Sequence, residues 1–204
     1  MKEDISPVQI VPADRLTLAT LDLEGLLCFR SSLVSGTDAD QPATAGCAVR
    51  MKDLVPVVTD PRSGILLALQ EQRIVGYAIF GRAGRFSRAE EMGFELKQDA
   101  LVVAALYVTP ELREQDADAD LLIAVMSFAR ENDYEMVQVL CREEPGDGPE
   151  PRRELLSASG FAIVAEEGGL TLVETTLEQW DNPQQDEEAG ESFSGIFPDS
   201  DKSN

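Results

Sequence analysis

Nine consecutive apolar or aromatic residues, Ala100–Val108 (ALVVAALYV), constrain the fold more than any other stretch of the chain. A strand without polar alternation is buried on both faces, so it belongs in the middle of a sheet that helices cover. Asp118–Glu131 follows, with Leu121, Leu122, Val125, Phe128 and Ala129 on one stripe, the spacing of an amphipathic helix. Met136–Cys141 then reads as a second buried strand. Two strands joined through a helix run parallel, with a right-handed crossover.

Hairpins flank this β-α-β unit. Gly64–Gln70 and Ile74–Gly81 read as strands joined by a tight connection at Glu71–Arg73, and Phe161–Ala165 and Leu170–Thr176 close across Glu166–Gly169. Val8–Val11 is a short strand, Arg15–Ser32 has helical spacing, and Pro151–Ala158 is a helix stopped by Gly160. Cys47–Thr59 reads as a Pro-interrupted helix. Ser35–Gly46, Pro110–Ala117 and Arg142–Glu150 read as loops, and Arg82–Gln98 as irregular. The expected fold is α/β: a single mixed, mostly antiparallel sheet with a central parallel β-α-β unit and helices on both faces.

Charge excludes several functions. The 204 residues carry a net charge of -21 and no histidine. Such a surface repels phosphate backbones and anionic lipid, so neither nucleic acid nor a membrane is an expected partner. Without histidine there is no His-based dyad, triad or metal site. Cys28, Cys47 and Cys141 are too far apart for a zinc ribbon and odd in number, so no metal or disulfide framework organises the chain. The N-terminus lacks the apolar core of a signal peptide, and no run of 18 apolar residues occurs, so the expected location is cytoplasmic. Residues 1–177 read as one domain. Residues 178–204 carry eight acids against one base and read as a disordered acidic tail. Its apolar island, Phe193, Ile196 and Phe197, is a candidate docking motif for a protein partner.

Four stretches, taken in order, carry a family resemblance. They are ILLALQEQRIVGYAIFG, LVVAALYVTPELR, DLLIAVMSFARENDYEMVQV and ELLSASGFAIV. Together they resemble the GNAT family of acyl-CoA-dependent N-acetyltransferases, over about residues 5–177. The resemblance implies an acyl-CoA N-acyltransferase-like fold, acetyl-CoA as cofactor and an amine-bearing acceptor. It implies that the thioester rests near the backbone of Leu106–Val108. The pyrophosphate would be held by Arg113 and the amides at Ala117 and Asp118, where the family carries R/Q-x-x-G-x-G/A. The first segment, Arg15–Thr59, is where the family builds acceptor specificity.

Two departures follow from the same resemblance. The glycine positions of the phosphate loop are Asp116 and Asp118, with Asp120 close behind. At roughly 6 Å and an effective dielectric of about 20, each carboxylate–phosphate pair costs about 3 kcal/mol. Two or three would offset most of a micromolar affinity, about 8 kcal/mol. Asp118 is a natural N-cap for the helix, with Asp116 and Asp120 facing its positive end, so the chain's own carboxylates would fill the anion site. An EF-hand reading fails, because Leu121 and Ser127 stand where Gly and Glu are needed. Many family members also carry a Tyr four residues before the Gly of the "GF" corner, as acid for the leaving thiolate; here it is Leu156. The remaining candidates for proton transfer are Tyr107 and Glu95, with Asp99 and Tyr77 as neighbours. Arg82, Arg85 and Arg88 cluster after the third family strand, placed either to pair with the acidic surface or to receive an acidic ligand or the protein's own tail. Two readings stay open: an active N-acetyltransferase, and a catalytically inactive GNAT-fold module working through protein partners.

Overall fold

The computed structural model describes residues 7–14, 30–31, 47–48, 51–86, 88–113, 115–142 and 151–180. Its elements are β1 (Gln9–Pro12), β2 (Arg30–Ser31), β3 (Cys47–Ala48), α1 (Met51–Thr59), β4 (Gly64–Gln70), β5 (Arg73–Arg82), α2 (Arg88–Glu91), β6 (Ala100–Val108), α3 (Pro110–Arg113), α4 (Ala117–Glu131), β7 (Met136–Arg142), α5 (Arg153–Ala158), β8 (Ala162–Glu167) and β9 (Leu170–Thr176). Seven strands form one sheet in the order β1-β4-β5-β6-β7-β9-β8. Among the described residues only β6 and β7 pair in parallel; the other pairs in the sheet are antiparallel. The expected mixed α/β architecture is therefore observed, with ALVVAALYV at its centre.

Strand alternation sends side chains to two cores. On one face Leu66, Phe80, Leu101, Val103, Val139 and Val173 pack against the apolar stripe of α4 and against Leu156 of α5. Phe80 meets Phe128 of α4 with ring centroids 4.8 Å apart. On the other face Leu67, Tyr77, Ile79, Val102 and Leu172 pack against Leu54 and Val57 of α1 and against Phe86, Ala89 and Phe94. Helices thus cover both faces, which is why the central strand needs no polar alternation. The turn between β8 and β9 is Gly168-Gly169, both at positive φ (58 and 78), where glycine costs nothing.

Several boundaries differ from the sequence expectation. The helix expected over Cys47–Thr59 begins at Met51, because Cys47–Ala48 pairs with Arg30–Ser31 instead. Arg30 and Ser31, expected at the end of a helix, are therefore strand; residues 15–29 and the loop expected over 35–46 lie outside the described residues. The irregular stretch after β5 contains a 3-10 turn at Ala83–Arg85 and the short α2. The loop expected at Pro110–Ala117 contains the single turn α3. Packing also runs three residues past Leu177. Trp180 is 4% exposed, and the Arg130 guanidinium lies 5.3 Å from its ring centroid. The rest of the acidic tail, with Phe193, Ile196 and Phe197, lies outside the described residues, as does the loop over 143–150.

Candidate active site

The site begins with a change of pairing in β6. Its parallel ladder with β7 runs from Ala100↔Met136 to Val103↔Val139 and stops. Beyond that point β6 continues to Val108 beside β5, while β7 continues to Arg142 beside β9. The sheet therefore opens between Ala104–Val108 and Leu140–Arg142. A β-bulge lies at the same place, since Phe80 faces Val103 and Ile79 faces Ala105, with Ala104 as the extra residue. Ala104 and Ala105 both join the α1-side core, so the side-chain alternation flips there and the strand is re-aimed.

The chain leaving β6 is fixed at the mouth of this opening. Thr109 donates its N–H to the Val75 carbonyl at 2.8 Å, extending the ladder by one residue. Arg113 turns back on its own strand: Nε donates to the Val108 carbonyl at 3.1 Å, and the guanidinium lies 5.8 Å from the Tyr107 ring centroid. Tyr107 in turn rests on Tyr77, with centroids 5.6 Å apart. Gly76 faces Val108, and a Cβ there would come within 2.7 Å of the Tyr107 carbonyl oxygen. Only glycine lets the two backbones approach this closely.

The loop into α4 keeps an anion-ready backbone despite its aspartates. Asp116 adopts a left-handed conformation (φ 57), the conformation that favours glycine and that Asp tolerates. It is the N-cap residue of α4 and makes no side-chain cap. The expectation that Asp118 caps the helix is therefore corrected, because the cap lies two residues earlier, at Asp116, and Asp118 is already inside the first turn. The Asp116 carbonyl accepts from Ala119 and Asp120, whereas the N–H groups of Ala117 and Asp118 have no acceptor among the described residues. Such free amides at a helix start, with the positive end of the dipole, suit a phosphate.

Asp118 itself is 3% exposed, and its carboxylate accepts from the Ala119 N–H rather than from those amides. One of its oxygens accepts from Nε and a terminal nitrogen of Arg152, at 2.8 and 2.7 Å. Its charge is thus neutralised, and the repulsion expected from sequence is smaller than three carboxylates imply. Asp116 and Asp120 stay exposed. Partial desolvation, then the charges of Asp116 and Asp118, push the Asp120 carboxyl above the ordinary aspartate range.

The remaining sequence candidates sit elsewhere. Leu106 and Val108 are buried at the open end, facing α4, and Tyr107 is half-buried there. Leu156 is fully buried in the α4-side core. Tyr77 is also core. Glu95 and Asp99 are exposed and precede β6, so the length of that strand, about 26 Å, separates them from Val108. The structure therefore gathers Leu106, Tyr107, Val108, Arg113, Ala117 and Asp118, and leaves Glu95 at the other end. Arg82 and Arg85 both bind the buried Asp60 carboxylate, at 2.7 and 3.0 Å, so the acidic group they receive belongs to the chain. Sequence reasoning missed Arg152. One signal was present: a basic pair, Arg152-Arg153, opens a helix, where the dipole disfavours cations.

No family model matches the sequence, and no curated protein is similar to it at the level of sequence. Solved structures are similar in fold. The GNAT domain of S. lividans PAT superposes with a TM-score of 0.58 at 16% identity, over 83% of this chain and 90% of that one. The ribosomal-protein-S18-alanine N-acetyltransferase from Escherichia coli gives 0.55 at 10% identity, over 84% and 94%. PaiA N-acetyltransferase from Thermoplasma acidophilum, solved in complex with coenzyme A, gives 0.55 at 12% identity, over 83% and 99%. The opened β6–β7 pair, the bulge and these superpositions together establish that the chain has the acyl-CoA N-acyltransferase fold of the GNAT acetyltransferases.

Proposed function

We propose that the chain is an N-acetyltransferase that moves an acetyl group from acetyl-CoA to an amine. The carrying observation is the parting of β6 and β7 after Val103 and Val139, with two open amides and a fixed arginine at the mouth. Acetyl-CoA supplies an activated acyl group as a thioester. In this reading the edge of Leu106–Val108 lies alongside the thioester. The amides of Ala117 and Asp118, with Arg113, hold the pyrophosphate. The donor set fits such a group: the loop turns through a left-handed residue, and the buried carboxylate beneath it is already paired.

The reaction needs no covalent enzyme intermediate. The amine nitrogen bonds to the carbonyl carbon, the carbon–sulfur bond breaks, and the proton that the nitrogen loses balances the one that the thiolate takes up. Leu156 cannot donate that proton. Tyr107 is the residue assigned to proton transfer, since it stands at the open end with Arg113 above its ring. A net charge of -21 suits a cationic acceptor, a polyamine or a lysine side chain, by electrostatic steering. The chain carries no membrane-crossing helix among the described residues.

The test is release of free thiol from acetyl-CoA with an amine screen. Acceptor-dependent thiol release supports the reading; binding without turnover points to the second one. In that reading the chain is an inactive binding module acting through protein partners, by way of Phe193, Ile196 and Phe197. The buried leucine at position 156 is the observation that favours it.

A further inference from the structure

We propose that Arg152 is a further phosphate-binding residue of the open end, held in place by the buried carboxylate of Asp118. The inference deepens the acetyl-CoA reading and rests on it. Asp118 lies in the first turn of α4, on the β6 side of the opening. A carboxylate buried that deeply needs a partner. Its partner comes from the opposite side: Arg152 leads into α5, which follows β7. The pair therefore joins the two lips of the opened sheet.

The manner of pairing leaves the guanidinium half used. Nε and one terminal nitrogen converge on a single Asp118 oxygen, at 2.8 and 2.7 Å. The other Asp118 oxygen accepts the Ala119 N–H at 3.1 Å. The Arg152 side chain makes no other bond among the described residues and is 36% exposed. A planar fork anchored along one edge and open along the other is built for a second anion. Asp118 fixes it next to the residue whose own N–H is one of the two open amides. The pair also accounts for a cation at the start of a helix, a place the dipole disfavours. A brace between α4 and α5 alone would need neither the open edge nor this position.

The experiment compares acetyl-CoA with S-acetylpantetheine, which carries the thioester without a phosphate. Binding of each to the full chain is measured by calorimetry, beside thermal unfolding. Arg152→Gln alone leaves a buried charge unpaired and can unfold the chain, so Asp118→Asn/Arg152→Gln is the main variant. It should bind acetyl-CoA about tenfold more weakly and S-acetylpantetheine as wild type does. Asp118→Asn alone keeps the guanidinium but removes the charge that anchors it, so it should weaken acetyl-CoA about threefold and leave S-acetylpantetheine unchanged. A purely structural brace predicts lower stability with the same change in affinity for both ligands. Equal losses for both ligands, or unchanged acetyl-CoA affinity in the double variant, would overturn the assignment of Arg152 while leaving the acetyl-CoA reading intact. Wild type that binds neither ligand would overturn that reading itself.

Discussion

The two ends of the central strand solve one problem in different ways. Each has a buried aspartate next to arginines. At the start of β6 the sheet is closed: the β6–β7 ladder is intact, and Asp60 is enclosed by Arg82, Arg85 and the Arg62 backbone N–H. Nearby Gln138 accepts from the Lys97 N–H and donates to Glu174, which also pairs with Lys97. At the finish of β6 the ladder has ended, and Asp118 has one guanidinium, itself partly exposed. The closed end sets two arginines on one carboxylate. The open end has one arginine beside two amides that lack an acceptor among the described residues. Burial of a carboxylate therefore does not mark a functional site; the parting of β6 from β7 beside it does.

Four predictions sharpen that contrast. The largest effect should come from the closed end. Asp60→Ala removes a buried carboxylate from two arginines that are themselves 47% and 40% exposed, so the cost should fall below that of a fully buried pair. A loss of about 2–3 kcal/mol in urea unfolding is expected, with acetyl-CoA affinity unchanged. Burial alone would raise the Asp60 carboxyl, but hydrogen bonds from Arg82, the Arg62 backbone and Arg85, with the Arg82 charge, hold it below the ordinary value of 3.8. Its contribution is then complete above pH 3.8 and lost as pH falls through the lower folded value. Acid titration of stability should show this loss in wild type and not in Asp60→Ala.

Next in size is Gly76→Ala, where the new Cβ meets a backbone oxygen rather than a yielding side chain. About 1–3 kcal/mol of destabilisation is expected, together with weaker acetyl-CoA binding, because β5 and β6 must separate at the open end. Destabilisation with unchanged affinity would detach this backbone contact from the site. Arg113→Ala should leave stability within about 0.5 kcal/mol and weaken acetyl-CoA about tenfold. An unaltered affinity would remove Arg113 from the phosphate-binding group.

How much of this was legible depends on the range of the interaction. β6 and α4 were readable because their patterns are local: an unbroken apolar run, then a stripe at Leu121, Leu122, Val125, Phe128 and Ala129. The phosphate loop could be located, but not the direction of its side chains. Asp118 meets its partner 34 residues away, and nothing near it in sequence announces that. The bulge at Ala104 was equally silent, because both alanines fit a continuous apolar strand. The strand at Cys47–Ala48 overrode a helical reading through its pairing with Arg30–Ser31.

The smallest effect should come from Asp120. Its folded carboxyl is raised, so the ionised form costs stability above the folded value. That cost fades as pH falls through it and is gone below the unfolded value of 3.8. Asp120→Asn should therefore stabilise the protein at pH 7, by less than about 1 kcal/mol, and have no effect below pH 3.8. A destabilising result at pH 7 would mean that the helix dipole outweighs its two acidic neighbours.

The most direct test is calorimetric titration of the full chain with acetyl-CoA at low and moderate salt. Binding near micromolar strength, weakening as salt rises, is expected if the open end takes a phosphorylated thioester. No heat and no thermal shift at millimolar acetyl-CoA would contradict the account, and would leave the opened sheet as inherited architecture without its ligand.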